Sequence, residues 1–276
     1  MTRLSILVLI LCMSMDIIAT AQTGSIDSGD AALALNAGFE AKKAEPLSEF
    51  LQTWSEYSTP IDDELLEKKP NFEQAVYAMY SAFFEPAASL RGGEYVVIQE
   101  DIKVRLVDTD LAEAYREEVE TYIDVAIRTP AISEITIHNF RPRIEIDEKT
   151  TLYYDHRHIE ALLLFLMGEA LNEKNWEGRI DIDSAWDEQN GGNHSIKYEI
   201  RAERLDYLNS SMEIIDGHWG NGWHIATHPD MYCVVLSVDL DEAVIYSRIG
   251  YSGEAALMKY LDDEWVVAAR HRTGTE

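Results

Sequence analysis

The stretch Asp216-Gly-His-Trp-Gly-Asn-Gly-Trp-His-Ile-Ala-Thr-His228 gathers three histidines, two tryptophans and three glycines within thirteen residues. These are the types that build metal and ligand sites, and also the types that make a tight turn feeding a strand. His224 and His228 are spaced as the two ligands of an H-E-x-x-H helix, but the segment reads His-Ile-Ala-Thr-His and lacks the glutamate. Gly220, Gly222, Thr227 and Pro229 make it a poor helix. On a strand the two histidines would stand roughly 13 Å apart. Two ligands of one zinc, each about 2.0–2.1 Å from the ion, must lie within a few Å of each other. The spacing therefore opposes a shared metal, and no metal or cofactor is expected. What remains is chemistry by single side chains. His218 or His224 could act as a general base beside Asp216 or Asp230, as in a hydrolase or isomerase. Trp219, Trp223 and His228 could line a small ligand. The structural alternative is a glycine turn pinned by Trp219 and Trp223, leading into the first strand of a terminal sheet.

A second group spans residues 138–158. Arg141, Arg143, Lys149 and Arg157 balance Glu145, Asp147, Glu148 and Asp155, so the segment is neutral in a very acidic chain. Arginine offers a bidentate fork to carboxylate or phosphate, which makes Arg141 and Arg143 candidates for an anion. Internal ion pairs are the competing expectation. His156 and His158 form H-x-H, but Asp155 opens a helical pattern, and residues two apart on a helix diverge. Cys233 lies in the apolar run Met-Tyr-Cys-Val-Val-Leu, where a cysteine is usually buried and inert. Gly250-Tyr-Ser-Gly253 lacks one spacer of the nucleophile elbow. Asp181-Ile-Asp183 begins like a calcium loop, but Ala185 and Trp186 occupy required positions. There is no P-loop and no dinucleotide glycine fingerprint. Asn193-His-Ser and Asn209-Ser-Ser are glycosylation sequons, meaningful only on a eukaryotic secretory route.

The ends set the compartment. Arg3, the apolar run Leu4 to Met15, and Ala19-Thr-Ala21 read as a secretory signal over residues 1–21. Cleavage before Gln22 removes Cys12 and leaves Cys233 alone, so the expected mature chain has no internal disulfide. It also leaves the formal charge at −27, because Arg3 and Asp16 cancel. Such a chain repels nucleic acid and anionic lipid, and could steer toward a cationic partner. With no second apolar run of about 18 residues, no integral membrane span is expected after cleavage. The localisation expected is periplasmic or secreted.

The elements that must position these residues follow from the periodicity of the chain. Residues 22–30 read as a flexible start, within a helical region spanning 22–92. Leu47, Phe50, Leu51, Trp54 and Tyr57 predict one helix, with Pro46 in its first turn. Asn71 as cap with Gln74 at the capping-box position, then Phe72, Val76, Met79, Tyr80 and Phe83, predict another, ended by Pro86. An α+β region over 93–276 follows. Tyr95 to Val107 predicts strand, Asp110 to Arg128 helix, Ile132 to Ile137, Arg143 to Ile146 and Leu152 to Tyr154 strands. Asp155 caps a helix with Ile159, Leu162, Leu163, Leu166 and Ala170 on one face; 172–194 reads as a polar loop and Ile196 to Met212 as a helix. Tyr232 to Val238, Ala243 to Ile249, Glu254 to Tyr260 and Trp265 to Arg270 alternate between short turns, which predicts a four-strand antiparallel meander. The fold class is α+β, N-terminal helices packed with a C-terminal antiparallel sheet.

The pattern Gly217-His-Trp-Gly-Asn-Gly-Trp-His224, Thr227-His-Pro229, Ala243-Val-Ile-Tyr246, Gly250-Tyr-Ser-Gly253 and Trp265-Val-Val267 resembles a group of uncharacterised exported bacterial proteins, with fainter echoes at Asn139-Phe-Arg-Pro142. The resemblance covers the last 60 or so residues. It implies export and supplies no activity. The strand tail also resembles, loosely, the curved sheet of NTF2-like (SnoaL-like) domains, which usually enclose a pocket. Three roles are consistent with these readings. The first is an exported protein that binds a small molecule or a partner protein without catalysis. The others are a hydrolase or isomerase and a structural envelope-interaction protein.

Overall fold

The structure, a computed structural model, describes residues 26–84, 93–121, 123–144, 148–168, 194–212, 215–216, 223–224, 230–249 and 252–275. The signal segment, the 172–193 stretch, Pro86 and Ala170 lie outside them.

Helix α1 (Ser28–Glu40) begins where a flexible start was expected. Asp27 caps it, its carboxylate accepting from the Asp30 N–H. Its buried stripe is Ala32, Leu35 and Gly38, too small-sided to stand out as an apolar face. Gly38 is required by contact: a Cβ there would meet Pro46 and Tyr207 at 2.8 Å. Helix α2 (Glu45–Glu56) carries Pro46 in its first turn and buries Leu47, Phe50, Leu51 and Trp54. After the short α3 (Asp63–Glu67), α4 (Asn71–Phe83) buries Val76, Met79, Tyr80 and Phe83. Its capping differs from the expectation. Pro70 is the cap residue, and the Gln74 amide donates instead to the carbonyls of Lys69 and Glu67, satisfying the end of the preceding turn.

The expected strand over 95–107 is two strands, β1 (Tyr95–Ile98) and β2 (Ile102–Val107). Gln99 marks the corner between them. Its amide donates to the Met231 carbonyl and accepts the Met231 N–H, a side chain acting as a ladder rung. Likewise the helix over 110–128 is two pieces, α5 (Leu111–Thr121) and α6 (Val125–Arg128). Strands β3 (Ser133–Ile137) and β4 (Thr150–Tyr153) follow. No strand forms at Arg143 and Ile144, the described part of the strand expected over 143–146. The backbone just before them is engaged elsewhere: Arg141 O accepts from Ile61 N–H, and Pro142 O from the Tyr153 hydroxyl. Asp155 caps α7 (His156–Met167) through the N–H groups of Arg157 and His158, as its sequence requires. Helix α8 is His194–Asn209.

The meander is present as β7 (Asp230–Ser237), β8 (Glu242–Ile249), β9 (Ser252–Leu261) and β10 (Glu264–Thr275), each antiparallel to the next. It extends into a six-stranded sheet of order β10-β9-β8-β7-β2-β3, because β2 lies parallel to β7 with Val104 opposite Val234. Strands β1 and β4 form a separate parallel ribbon. The fold is therefore α+β, with N-terminal helices and a C-terminal antiparallel sheet.

Alternation along the strands gives the large sheet two apolar faces. One carries Val104, Val234, Ile245, Ala256 and Met258 against α4. The other carries Val235, Val244, Tyr246 and Leu257 beneath Leu111 and Tyr115 of α5. A further core joins α1, α2, α7 and α8 to the β1–β4 ribbon around Leu35, Trp54, Leu152, Phe165 and Leu208. The N-terminal helices thus share cores with elements from the rest of the chain. Each fully buried Leu or Phe contributes about 1.5–3 kcal/mol. Cys233 is buried on the α5 side, and burial pushes its thiol up despite Arg105 nearby. Among the described residues, no helix is long and apolar enough to cross a membrane.

Candidate functional site

The residues singled out by sequence are only partly described. His218, Trp219 and His228 lie outside the described residues. Asp216, Trp223 and His224 lie in a two-residue ribbon, β5 (Ile215–Asp216) with β6 (Trp223–His224). Asp216 is opposite Trp223 and Ile215 opposite His224, so Asp216 and His224 occupy successive rungs. This ribbon is separate from the meander. Asp230 is exposed at the start of β7. Arg141 and Arg143 bind protein groups. Arg141 donates to the carbonyls of Tyr57 and Thr59, and its guanidinium lies 5.7 Å over the Tyr153 ring. Arg143 pairs with Asp63 at 3.1 Å. Both thereby tie the 140–144 strap to the N-terminal helices. Among the described residues, no group of three His, Cys, Asp or Glu side chains is placed to hold a metal.

Two carboxylate–imidazole pairs do form. In the first, His158 Nδ1 is 2.8 Å from Asp155 Oδ1. The hydrogen bond from His158 holds the Asp155 carboxyl down at about 2, against the opposing effect of its burial. An ionised Asp155 accepts from Nδ1–H, which turns Nε2 to the opposite side of the ring. That is the orientation of a general base. However, the ring is 3% exposed, stacked on Trp54 at 5.0 Å and tilted against Phe50 at 5.5 Å. Its Nε2 meets no partner among the described residues. The H-x-H histidines diverge as helical geometry requires, with His156 exposed and His158 buried.

The second pair was not anticipated from sequence. Glu118 of α5 is 1% exposed. Its Oε2 accepts the Val125 N–H at 2.9 Å and the Tyr246 hydroxyl. His271 Nε2 of β10 stands 3.1 Å from Oε1, at ion-pair distance but off the direction of a hydrogen bond. The Tyr115 ring packs edge-on against His271 at 4.9 Å, and its hydroxyl donates to Ala255 O. Burial, then the bond to Glu118 and its charge, push the Tyr246 hydroxyl far above its usual range. Tyr115 is pushed up to about 12, chiefly by burial and then by Glu118. Both phenols are therefore donors at any ordinary pH. Glu118 thus ties α5 to β8 and to the start of α6. A signal was present: Leu111, Tyr115 and Glu118 repeat at i, i+4 and i+7, placing a carboxylate in the buried stripe.

What this network holds is α6. The N-cap residue Asp124 makes no side-chain cap bond, and Glu118 takes its place by accepting the Val125 N–H. At the other end, Arg128 donates to Glu117 Oε2 at 3.0 Å and to Ala114 O at 3.1 Å. Four residues of helix are thus tied to α5 at both ends. Yet Ile127 is 76% exposed, with Ile132 at 58%, Ile123 at 46% and Val119 at 42%. Single exposed apolar residues are ordinary, but four within fourteen residues of chain are a concentration. In the same stretch of chain, Glu113, Glu117 and Glu120 are exposed and Asp124 is half-buried.

Compared with protein-family models, curated proteins and solved structures, the chain matches none.

Proposed function

We propose that this is an exported, acidic binding protein without catalysis, and that α6 and its flanking links form its recognition face. The carrying observation is the contrast at α6, a helix fixed by polar ties at both ends whose central side chain, Ile127, faces solvent. An element that only closed the core would turn its largest apolar side chain inward. A preorganised surface with apolar anchors lowers the ordering cost of association. Export is supported by Arg3, the Leu4–Met15 run and Ala19-Thr-Ala21.

The test is photo-crosslinking in the producing cell. A benzophenone amino acid replaces Ile127, and in a control it replaces Leu65 on α3, which is 53% exposed. One discrete adduct from position 127 and none from position 65 is expected. No adduct at 127, or the same adducts from both positions, would defeat the reading.

A further inference from the structure

Resting on the reading of α6 as the recognition face, we infer that its partner is a cationic, amphipathic protein segment. Apolar side chains of that segment would seat on Ile127 and its neighbours, and basic side chains would meet the acidic rim. Charge carries the argument. From Asp108 to Ile132 the chain holds seven carboxylates against two arginines. One of the seven, Glu118, is buried in its own network, and one of the arginines, Arg128, is already bound to Glu117. The exposed remainder of this stretch is strongly negative and shares the chain segment with the exposed apolar side chains. On β2, Lys103 and Arg105 share the single carboxylate of Glu134, at 3.5 and 2.9 Å, so that group carries one net positive charge and offsets only part of the excess of seven carboxylates over two arginines in this stretch.

Each other occupant meets an objection. A second copy would bring two acidic rims together, and like charges across an interface are disfavoured. Nucleic acid and anionic lipid are repelled for the same reason. A small cation would leave the apolar side chains exposed. Among the described residues β10 and β3 end the six-stranded sheet, and register shifts at Val267/Ala269 and Arg272/Gly274 make the β10 edge a poor template for an added strand. An amphipathic segment with basic flanks matches both halves of the surface, with anchors at helical spacing for the isoleucines and cations for the rim.

The experiment measures binding of labelled synthetic peptides to the full mature chain by fluorescence anisotropy. The probes are a Leu/Lys amphipathic helix, a scrambled peptide of the same composition, and a Leu/Glu analogue. The Leu/Lys helix is expected to bind, more weakly as salt rises. The scrambled peptide should bind roughly tenfold more weakly, a difference of about 1.4 kcal/mol, and the Leu/Glu analogue not at all. Ile127→Ser with Ile132→Ser should weaken the Leu/Lys helix by a similar factor. Leu261→Ser, at a side chain 52% exposed on β9, should change nothing. Equal binding by the double variant, or by the scrambled peptide, would overturn the inference, as would a dimer in sedimentation that Ile127→Ser dissolves. The crosslinking separates this inference from the reading beneath it. An acidic protein captured at position 127 would leave the recognition face standing and sink the cationic partner. No adduct there would sink the face itself.

Discussion

The two carboxylate–imidazole pairs look alike in composition and differ in reach. Asp155 and His158 are one helical turn apart, and the carboxylate also caps that turn. Glu118 and His271 belong to α5 and to the last strand, and the same carboxylate closes the start of α6. The first pair fixes a local conformation that the chain already favours. The second joins segments that meet only once the sheet is assembled. A short-range pair can lose a member and keep its neighbours' conformation. A buried carboxylate that serves several elements leaves their donors without an acceptor when it is lost.

This contrast can be broken by mutation. Glu118→Ala should cost about 2–6 kcal/mol in denaturant unfolding, because it leaves the buried Tyr246 hydroxyl and the Val125 N–H without their acceptor, at about 1–3 kcal/mol each. A cost no larger than that of Asp155→Ala would erase the distinction. Tyr246→Phe, which removes one donor to a charged acceptor, should cost about 1.5–3 kcal/mol. Asp155→Ala should cost about 1 kcal/mol, the usual worth of a helix cap. Asp155 also sets a pH window. Its carboxyl is held at about 2 in the folded chain, below its ordinary value near 3.9. Its stabilising contribution is thus complete above that ordinary value and fades as pH falls toward 2. Asn can still cap, so Asp155→Asn should unfold with less acid dependence across that window; an unchanged acid profile would refute this. The smallest effect is expected from Ile127→Ser, within about 0.5 kcal/mol of the parent, which would separate recognition from stability.

Much of the fold was legible where the pattern is local. The meander follows from alternation and short turns, and α7 from Asp155 followed by Ile159, Leu162 and Leu166. The failures have physical causes. The stripe of α1 is built on Ala32 and Gly38, which carry little hydrophobic signal. Gln99 splits a β-rich run because its amide pairs with Met231, a partner no neighbouring residue announces. The candidate surface was missed because Glu118 is acidic by type and core by position. Only the distant Tyr246 and His271 explain that placement. Arg141 and Arg143 drew notice as anion binders, yet their carbonyl and carboxylate partners come from residues 57–63.

The parallel pairing of β2 with β7 has a consequence for the order of events during synthesis. Lys103 finds its neighbour in Cys233, 130 positions later. At ordinary elongation rates of roughly 5–20 residues per second, that neighbour emerges on the order of ten seconds after β2. In that interval the antiparallel β2–β3 pair has one unpaired edge along β2 and apolar side chains such as Val104 with no sheet to cover them. The chain therefore spends its early life as a good client for a holding chaperone. A variant shortened before β7 should remain one rather than settle as a smaller folded unit.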